Sequence, residues 1–364
     1  MTYLEVFEFF LTGSFLIQLF YLFYFNSRLL ISNGKHMDSF EPDISVIICA
    51  RNEEKNLKQN LEKFLNQDYD NYELIVVNDR SWDNSLEFLN NLKKKYLKLK
   101  VVNIPDNKTD HYGKKLALTL GIKAAKNNHL LFTDADCFPY TNNWISNMSS
   151  GFHNKKEIVL GAGIYAKESG FLNKIIRYDT AQIALNYLSF AKAKIAYMGV
   201  GRNLGYTKNV YYLNEGFKSH YHIASGDDDL FVNQASKNDN SEIIFNEESV
   251  TISFPKKKWR DWIIQKKRHH TTNKKYKINH KLILGIQFLS SFLFYLSFLI
   301  LLISDFTKIE ISILFVLRYI IIICLFYKPF KILMCKDLLW TFPIYEIILL
   351  ICQPIFQINM KSRI

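Results

Sequence analysis

The sequence contains neither GxGxxG nor GxxxxGK(S/T), so a dinucleotide dehydrogenase and a P-loop ATPase are disfavoured and phosphate must be held another way. Its five cysteines (Cys49, Cys137, Cys324, Cys335 and Cys352) show no metal-ligand or redox spacing and read as reduced packing residues. No RNA- or DNA-binding module is visible, which disfavours a nucleic-acid partner despite a net charge of +12. Disorder is excluded by 49% hydrophobic and 22% charged residues over 364 positions, enough for one large or two ordinary domains. A mean hydropathy of −0.05 is odd for a basic chain holding 29 Phe and 21 Tyr. It requires segregation, with greasy segments offsetting polar ones.

Four stretches are apolar enough to meet a membrane: Phe9–Phe25, Leu282–Ile303, Ile311–Phe326 (interrupted by Arg318) and Leu338–Ile358 (interrupted by Glu346). The first has no basic residue before it and no small-residue cleavage site after it, so it reads as a retained anchor. Arg28 and Lys35 follow it, and the positive-inside rule then puts residues 27–281 in the cytoplasm. Lys328, Lys331 and Lys336 fall on that side too. Lys361 and Arg363 would face outward, against the rule, which leaves room for a re-entrant or interfacial fourth segment. Arg318 and Glu346 are each costly alone in hydrocarbon, and a helix–helix ion pair is expected between them. Of the net charge, +10 sits between Pro255 and Lys281, where eleven Lys/Arg meet one acid. This collar is suited to anionic headgroups, so membrane lipids are an expected partner.

Between these segments strand and helix alternate. Ile44–Ala50, Glu73–Asp79, Lys100–Ile104 and His129–Asp136 are short β-branched or apolar runs, and helical spacing is seen at Asn56–Asn66, from Ser85, and at Gly113–Ala125. That alternation predicts an α/β domain on a mostly parallel sheet, with ligands beyond the carboxyl ends of the strands. Polar residues gather at those ends: Arg51–Glu54, Asp79, Asp134 and Asp136. Asp134 and Asp136 are spaced to converge on one divalent cation, with two ordinary turn aspartates as the alternative. Arg202 and Asn203 lie in a glycine-bracketed loop where backbone can approach a ligand closely. In SGDDDLF, Asp227, Asp228 and Asp229 crowd like charges, which raises a carboxylate's pKa and makes it a usable base. WRDWIIQKKRHH (Trp259–His270) brings Gln, Arg and His just before the clearest apolar span.

In order, SVIICARNEE, ELIVVNDRSWDNS, TDADC, GRNLGY, SGDDDLF and QKKRH before a hydrophobic helix resemble an inverting glycosyltransferase of family 2 with the GT-A fold. The resemblance covers roughly Ile44 to His270. It implies that Ala50, Glu53 and Asp79 hold the nucleotide, that Lys114 lies near its pocket, and that Asp134 and Asp136 are the DxD motif for Mg2+ or Mn2+, Asp136 the more direct ligand. It places the catalytic base in the acidic run, at Asp228 with Asp227 as second choice. Gln265 and Arg268 match the Gln-x-x-Arg-Trp motif that steadies the diphosphate. His269 stands where Trp is usual, which weakens a link to processive polysaccharide synthases. Arg202, Asn203 and His269 are the expected acceptor-side residues.

The expected division is an anchor at 1–26, the glycosyltransferase domain at 43–254, a basic interfacial segment at 255–281 and about three transmembrane helices at 282–358. The expected donor is a UDP- or GDP-sugar, and the acceptor a lipid-linked saccharide. The expected location is a bacterial inner membrane with the catalytic domain in the cytoplasm. A processive synthase and a non-catalytic scaffold of envelope assembly are the competing readings.

Overall fold

The computed structural model describes residues 2–31, 40–106, 113–237, 239–304 and 308–357. Lys35, Ile358, Lys361 and Arg363 lie outside the described residues. In chain order the elements are α1 (Tyr3–Phe20), β1 (Ile44–Ala50), α2 (Glu54–Leu65), β2 (Tyr72–Asp79), α3 (Ser85–Lys95), β3 (Leu99–Ile104), α4 (Lys115–Ala124), β4 (His129–Asp134), β5 (Cys137–Pro139) and α5 (Trp144–Ser150). They continue as β6 (Ile158–Leu160), β7 (Gly163–Tyr165), α6 (Phe171–Lys192), β8 (Leu204–Thr207), α7 (Lys208–Leu213), α8 (Asp229–Ala235), β9 (Ser241–Ile243), β10 (Thr251–Ser253), α9 (Trp259–Asn273), α10 (Ile278–Ile303), α11 (Lys308–Ile332) and α12 (Phe342–Gln357). They form two compact units. One takes Met1–Ile31, Ser169–Ser189 and Lys257–Ile364; the other takes Ser32–Glu168 and Phe190–Lys256.

The α/β unit is built on a seven-stranded sheet in the order β3-β2-β1-β4-β8-β6-β9. β3, β2, β1 and β4 are mutually parallel, and β8 runs antiparallel to both β4 and β6. A second sheet, β5-β10-β7, lies beside the DxD segment in sequence. The β-branched runs of β1 and β2 are buried almost throughout, as strands covered on both faces must be. α2 lays Leu57, Leu61, Phe64 and Leu65 on the sheet, and these with Val46, Leu74 and Trp144 make one core. Burying each such side chain contributes about 1.5–3 kcal/mol. α4 comes so close to β1 and β2 that a Cβ at Gly121 would sit 2.7 Å from Ile47 Cγ2, so only glycine fits there.

Element boundaries differ from the sequence reading where a tertiary contact sets them. α2 begins at Glu54 rather than Asn56, because Asp83 Oδ2 accepts the Glu54 N–H at 3.1 Å from the next loop. The fourth strand ends at Asp134, which leaves Ala135 and Asp136 free to turn into β5.

The helical unit contains four stretches long and apolar enough to cross a membrane: Tyr3–Leu29, Ile278–Ile303, Lys308–Ile332 and Lys336–Phe356. α1 and α10 pack antiparallel. Tyr21 Oη donates to Ile283 O at 2.6 Å, Gln18 Nε2 donates to Ser290 O at 3.0 Å, and Leu11 and Phe15 join Phe294, Leu301 and Ile311 in one core. The expected ion pair is present. Arg318 Nη2 donates to both Glu346 oxygens, at 2.7 and 2.9 Å. Ser169–Ser189 interrupts the α/β stretch in sequence, yet it clusters with the apolar helices. Its Arg177 donates to Asp337 Oδ1 at 2.7 Å and Oδ2 at 3.0 Å, and Asp179 accepts from Lys266 Nζ of α9 at 2.7 Å.

Candidate active site

The residues singled out in β1, β2 and β4 stand at the carboxyl ends of parallel strands, where a doubly wound sheet leaves its ligand crevice. Ala50 closes β1 and is buried, so only its backbone can face a ligand. Asn52 follows with a left-handed φ of 56°. Its side-chain oxygen accepts the Trp82 N–H at 3.0 Å, while its own N–H donates to Ser81 Oγ at 2.9 Å. Glu53 N donates to Ser85 Oγ at 3.2 Å. Ser81–Ser85 thus ties the β1 loop to the β2 loop, a role that its Ser/Asp/Asn composition signalled only as a turn. Asp79 is buried at the end of β2 and accepts from Arg80 Nε at 2.8 Å, with Arg80 itself at φ 52°. Burial and the negative potential of Asp136 and Asp134 raise the Glu53 pKa, opposed by a hydrogen bond of 2.5 Å from Asn56.

Beyond β4 the ligand atoms of Asp134, Asp136 and Cys137 all lie within 4.8 Å of one another. Burial and the neighbouring Asp134 charge push the Asp136 carboxyl up, and Arg202 and Lys114 hold it down. Lys114 forms an ion pair with Asp134. Burial works against that ammonium, but Asp134 and Asp227 outweigh it and keep its pKa above the usual lysine range. Arg202 extends towards the same carboxylates. Its Nη1 donates to Ser253 Oγ at 3.0 Å and Ile164 O at 3.2 Å, its guanidinium lies 4.5 Å from the Tyr165 ring centre, and Asp136 and Asp134 favour its charge.

Asn203 does not have the accessible position expected of an acceptor contact. It is 0% exposed; its amide donates to Ala162 O at 2.8 Å and Ser249 O at 2.7 Å, and its oxygen accepts from Trp144 Nε1 at 3.0 Å. With its hydrogen-bonding groups spent inside the fold, it holds the Gly201–Asn203 loop in place and cannot touch a ligand. The sequence reading failed here because the partner Trp144 lies far away in the chain.

The acidic run completes the site. Gly226 has φ 96°, a turn that puts Asp228 at the N-cap of α8. Asp228 Oδ2 accepts from Gly201 N at 2.8 Å and Oδ1 from Asp229 N at 2.8 Å, so both oxygens have a fixed orientation. Burial first, then the adjacent acid, raises Asp227 and Asp228 to about 6 each. Asp227, Asp228, Lys114 and Gly201 line one recess, and Lys114 bridges electrostatically from Asp134 to Asp227. A wider cleft opens beside His129 at the opposite end of β4, lined by Phe40, Lys155 and Lys156 among others. Its described lining holds no carboxylate pair.

Lys115 was missed by the sequence reading. It is buried at the start of α4, and its ammonium donates to Ser225 O at 2.6 Å and to Ile223 O. Adjacent lysines therefore divide the work: Lys114 holds the DxD segment, and Lys115 holds the loop leading into the acidic run. Lys115→Met would leave two carbonyls without their charged donor. A loss of about 1.5–3 kcal/mol is expected, read by denaturant unfolding together with faster amide exchange across residues 221–229.

Gln265, Arg268 and His269 lie on α9, in the helical unit; Gln265 is half-buried, and Arg268 and His269 are exposed.

A mostly parallel sheet bearing paired carboxylates after its fourth strand, with a second small sheet following, defines the GT-A class of fold. Residues 45–178 match the family described as Glycosyl transferase family 2. A mannosyltransferase from Pyrobaculum calidifontis, solved with GDP-Man and Mn2+, shares the fold at TM-score 0.59 and 16% identity, over 96% of this chain and 99% of that one. A dolichyl N-acetyl-alpha-D-glucosaminyl phosphate 3-beta-D-2,3-diacetamido-2,3-dideoxy-beta-D-glucuronosyltransferase from Methanococcus voltae is 28% identical over 57% of this chain and 58% of its own length. An uncharacterized glycosyltransferase of Haemophilus influenzae is 36% identical over 27% of this chain and 37% of its own. The chain thus covers less than two thirds of either of these curated relatives.

Proposed function

We propose that the chain is an inverting, metal-dependent glycosyltransferase. It moves a sugar from a UDP- or GDP-sugar to a lipid-linked saccharide at the inner face of a bacterial membrane. One observation carries this reading: Lys114 pairs with Asp134, and its charge also reaches Asp136, Asp227 and Asp228, so one basic residue links the two carboxylate pairs. A donor-side cluster and a base-side cluster so joined suit a single displacement. The named activities of the Methanococcus relative (a lipid-phosphate-linked acceptor) and of the Pyrobaculum structure (a GDP-sugar) support the substrate classes.

The donor set fits a divalent cation. Two carboxylates converge and both are hard oxygen ligands, while burial, followed by the Asp134 charge, raises the Asp136 pKa. Bound there, Mg2+ or Mn2+ would offset the charge growing on the diphosphate as it leaves. The chain's own residues do the rest. Ala50, Glu53 and Asp79 seat the nucleoside, while Lys114 and Arg202 supply positive charge and donors to the diphosphate; Gln265 and Arg268 keep the diphosphate-steadying role that their motif implies. Asp228 takes the proton of the acceptor hydroxyl as that oxygen bonds to the anomeric carbon, and the nucleoside diphosphate departs from the opposite face with its bonding electrons. Configuration inverts. Arg202, expected on the acceptor side, is proposed for the donor side because the charges of Asp136 and Asp134 favour its own. His269 is kept for the acceptor.

A screen of sugar nucleotides for manganese-dependent hydrolysis, followed by mass spectrometry of glycosylated lipid, tests the proposal. Hydrolysis of none of them would overturn it. Asp136→Ala should weaken manganese-dependent nucleotide binding at least about tenfold, equivalent to about 1.4 kcal/mol, and leave the metal-free affinity unchanged. Equal titration curves for the two proteins in manganese would remove Asp136 from the metal site.

A further inference from the structure

The last apolar segment, Lys336–Phe356, is 21 residues long and by length and composition could cross a membrane. Its contacts favour another path. Within the helical unit one end of the bundle is marked by the start of α10, which follows α9 after only a short link. The end of α1 is at that same end, through Tyr21 Oη on Ile283 O at 2.6 Å, and so is the end of α11, through Lys328 Nζ on Leu30 O at 2.7 Å. A fourth span would leave from there and finish at the far end, beside Leu4, Leu301 and Ile311.

Instead both ends of the segment stay near α9 and α6. Asp337 is gripped by Arg177 of α6 at 2.7 and 3.0 Å. At the other end the Phe356 ring packs on Trp262 at 5.3 Å and His270 at 5.8 Å, with the Lys266 ammonium 5.9 Å from its centre. All three partners are on α9, and His270 is eight residues before α10 begins. α9 is a polar helix, joined to α6 by the Lys266–Asp179 pair. Between the two ends the segment dips to Arg318, which Glu346 meets at 2.7 Å. Its other face is unpartnered. Trp340, Ile344, Ile347, Ile351 and Ile355 recur at helical spacing and are 40% to 64% exposed, while Phe342, Tyr345, Leu349 and Phe356 on the opposite side are buried.

We propose that Lys336–Phe356 is a re-entrant element: it enters and leaves the bilayer on the α9 side, and its Trp/Ile stripe is seated in the acyl chains of that leaflet. Acyl chains are the occupant because the stripe is continuous, uncharged and carried by a segment that α6 and α9 hold at both ends. The arrangement also removes the conflict between Lys361, Arg363 and the positive-inside rule. It does not depend on the enzymatic reading.

The test uses the full-length protein in sealed vesicles of known orientation, with a protease-cleavable tag placed in turn after Lys257, at Ser304 and after Ile364. The tag after Ile364 should be cut from the same side as the one after Lys257, and the tag at Ser304 only from the other. Cutting of the C-terminal tag from the Ser304 side, wholly or in part, overturns the proposal.

Discussion

Asp228→Asn should lower sugar transfer by about 10²–10⁴-fold, the usual worth of a positioned general base, and leave nucleotide affinity unchanged. The substitution keeps shape and volume, and an amide oxygen can still accept from Gly201 N or Asp229 N. What it removes is the proposed site for the acceptor proton. Burial and the adjacent Asp229 set the Asp228 pKa at about 6. The base works ionised, so transfer should be full above pH 6 and fall as pH drops through it, with the acid limb absent in the variant. Asp227 sits at about 6 as well, but its charge is spent partly on Lys114. Asp227→Asn is therefore expected to act chiefly on donor affinity. The assignment fails if Asp228→Asn turns over at the parent rate, or if Asp227→Asn alone abolishes transfer with binding intact.

Much of this was legible beforehand for a definite reason. The strands around the site are continuous β-branched runs, and a strand end followed by Asp-Ala-Asp, or by Arg-Asn-Glu-Glu, places its polar residues without knowledge of the rest of the fold. Arg318 and Glu346 were legible as partners because each is an isolated charge in an apolar segment. What stayed hidden depends on side chains distant in sequence. Asn203 looks like a ligand-facing loop residue until Trp144 Nε1 and two carbonyls are seen to use its amide. Lys115 looks like a duplicate of Lys114 until Ile223 and Ser225 arrive beneath it. The return of α12 to α9 rests on Phe356 meeting Trp262, and no local pattern encodes that meeting.

Arg318→Met should destabilise the helical unit by about 3–5 kcal/mol, the cost of stranding one member of a buried ion pair. Polar contacts between membrane helices average only about 0.6 kcal/mol, because the unfolded chain in lipid finds other partners. The larger figure applies because Arg318 carries a full charge and serves several helices at once. It donates to Glu346 at 2.7 and 2.9 Å, to Tyr295 Oη at 3.2 Å and to Gln18, while Tyr295 itself donates to Glu346 at 2.7 Å. It is 3% exposed, with the Phe294 ring centre 4.9 Å from its guanidinium. Glu346→Gln should cost less, since its amide oxygen still accepts from Arg318, but it strands the guanidinium's charge. Replacing both, as Arg318→Met with Glu346→Leu, should recover most of the loss, because an apolar pair of similar volume avoids desolvating either ion. Denaturant titration of the purified protein in micelles measures all three. A single Arg318→Met variant within about 0.5 kcal/mol of the parent, the range of ordinary surface substitutions, would show that the cluster does not hold the bundle. A double variant no more stable than Arg318→Met alone would show that the loss comes from Gln18 and Tyr295 rather than from the ion pair.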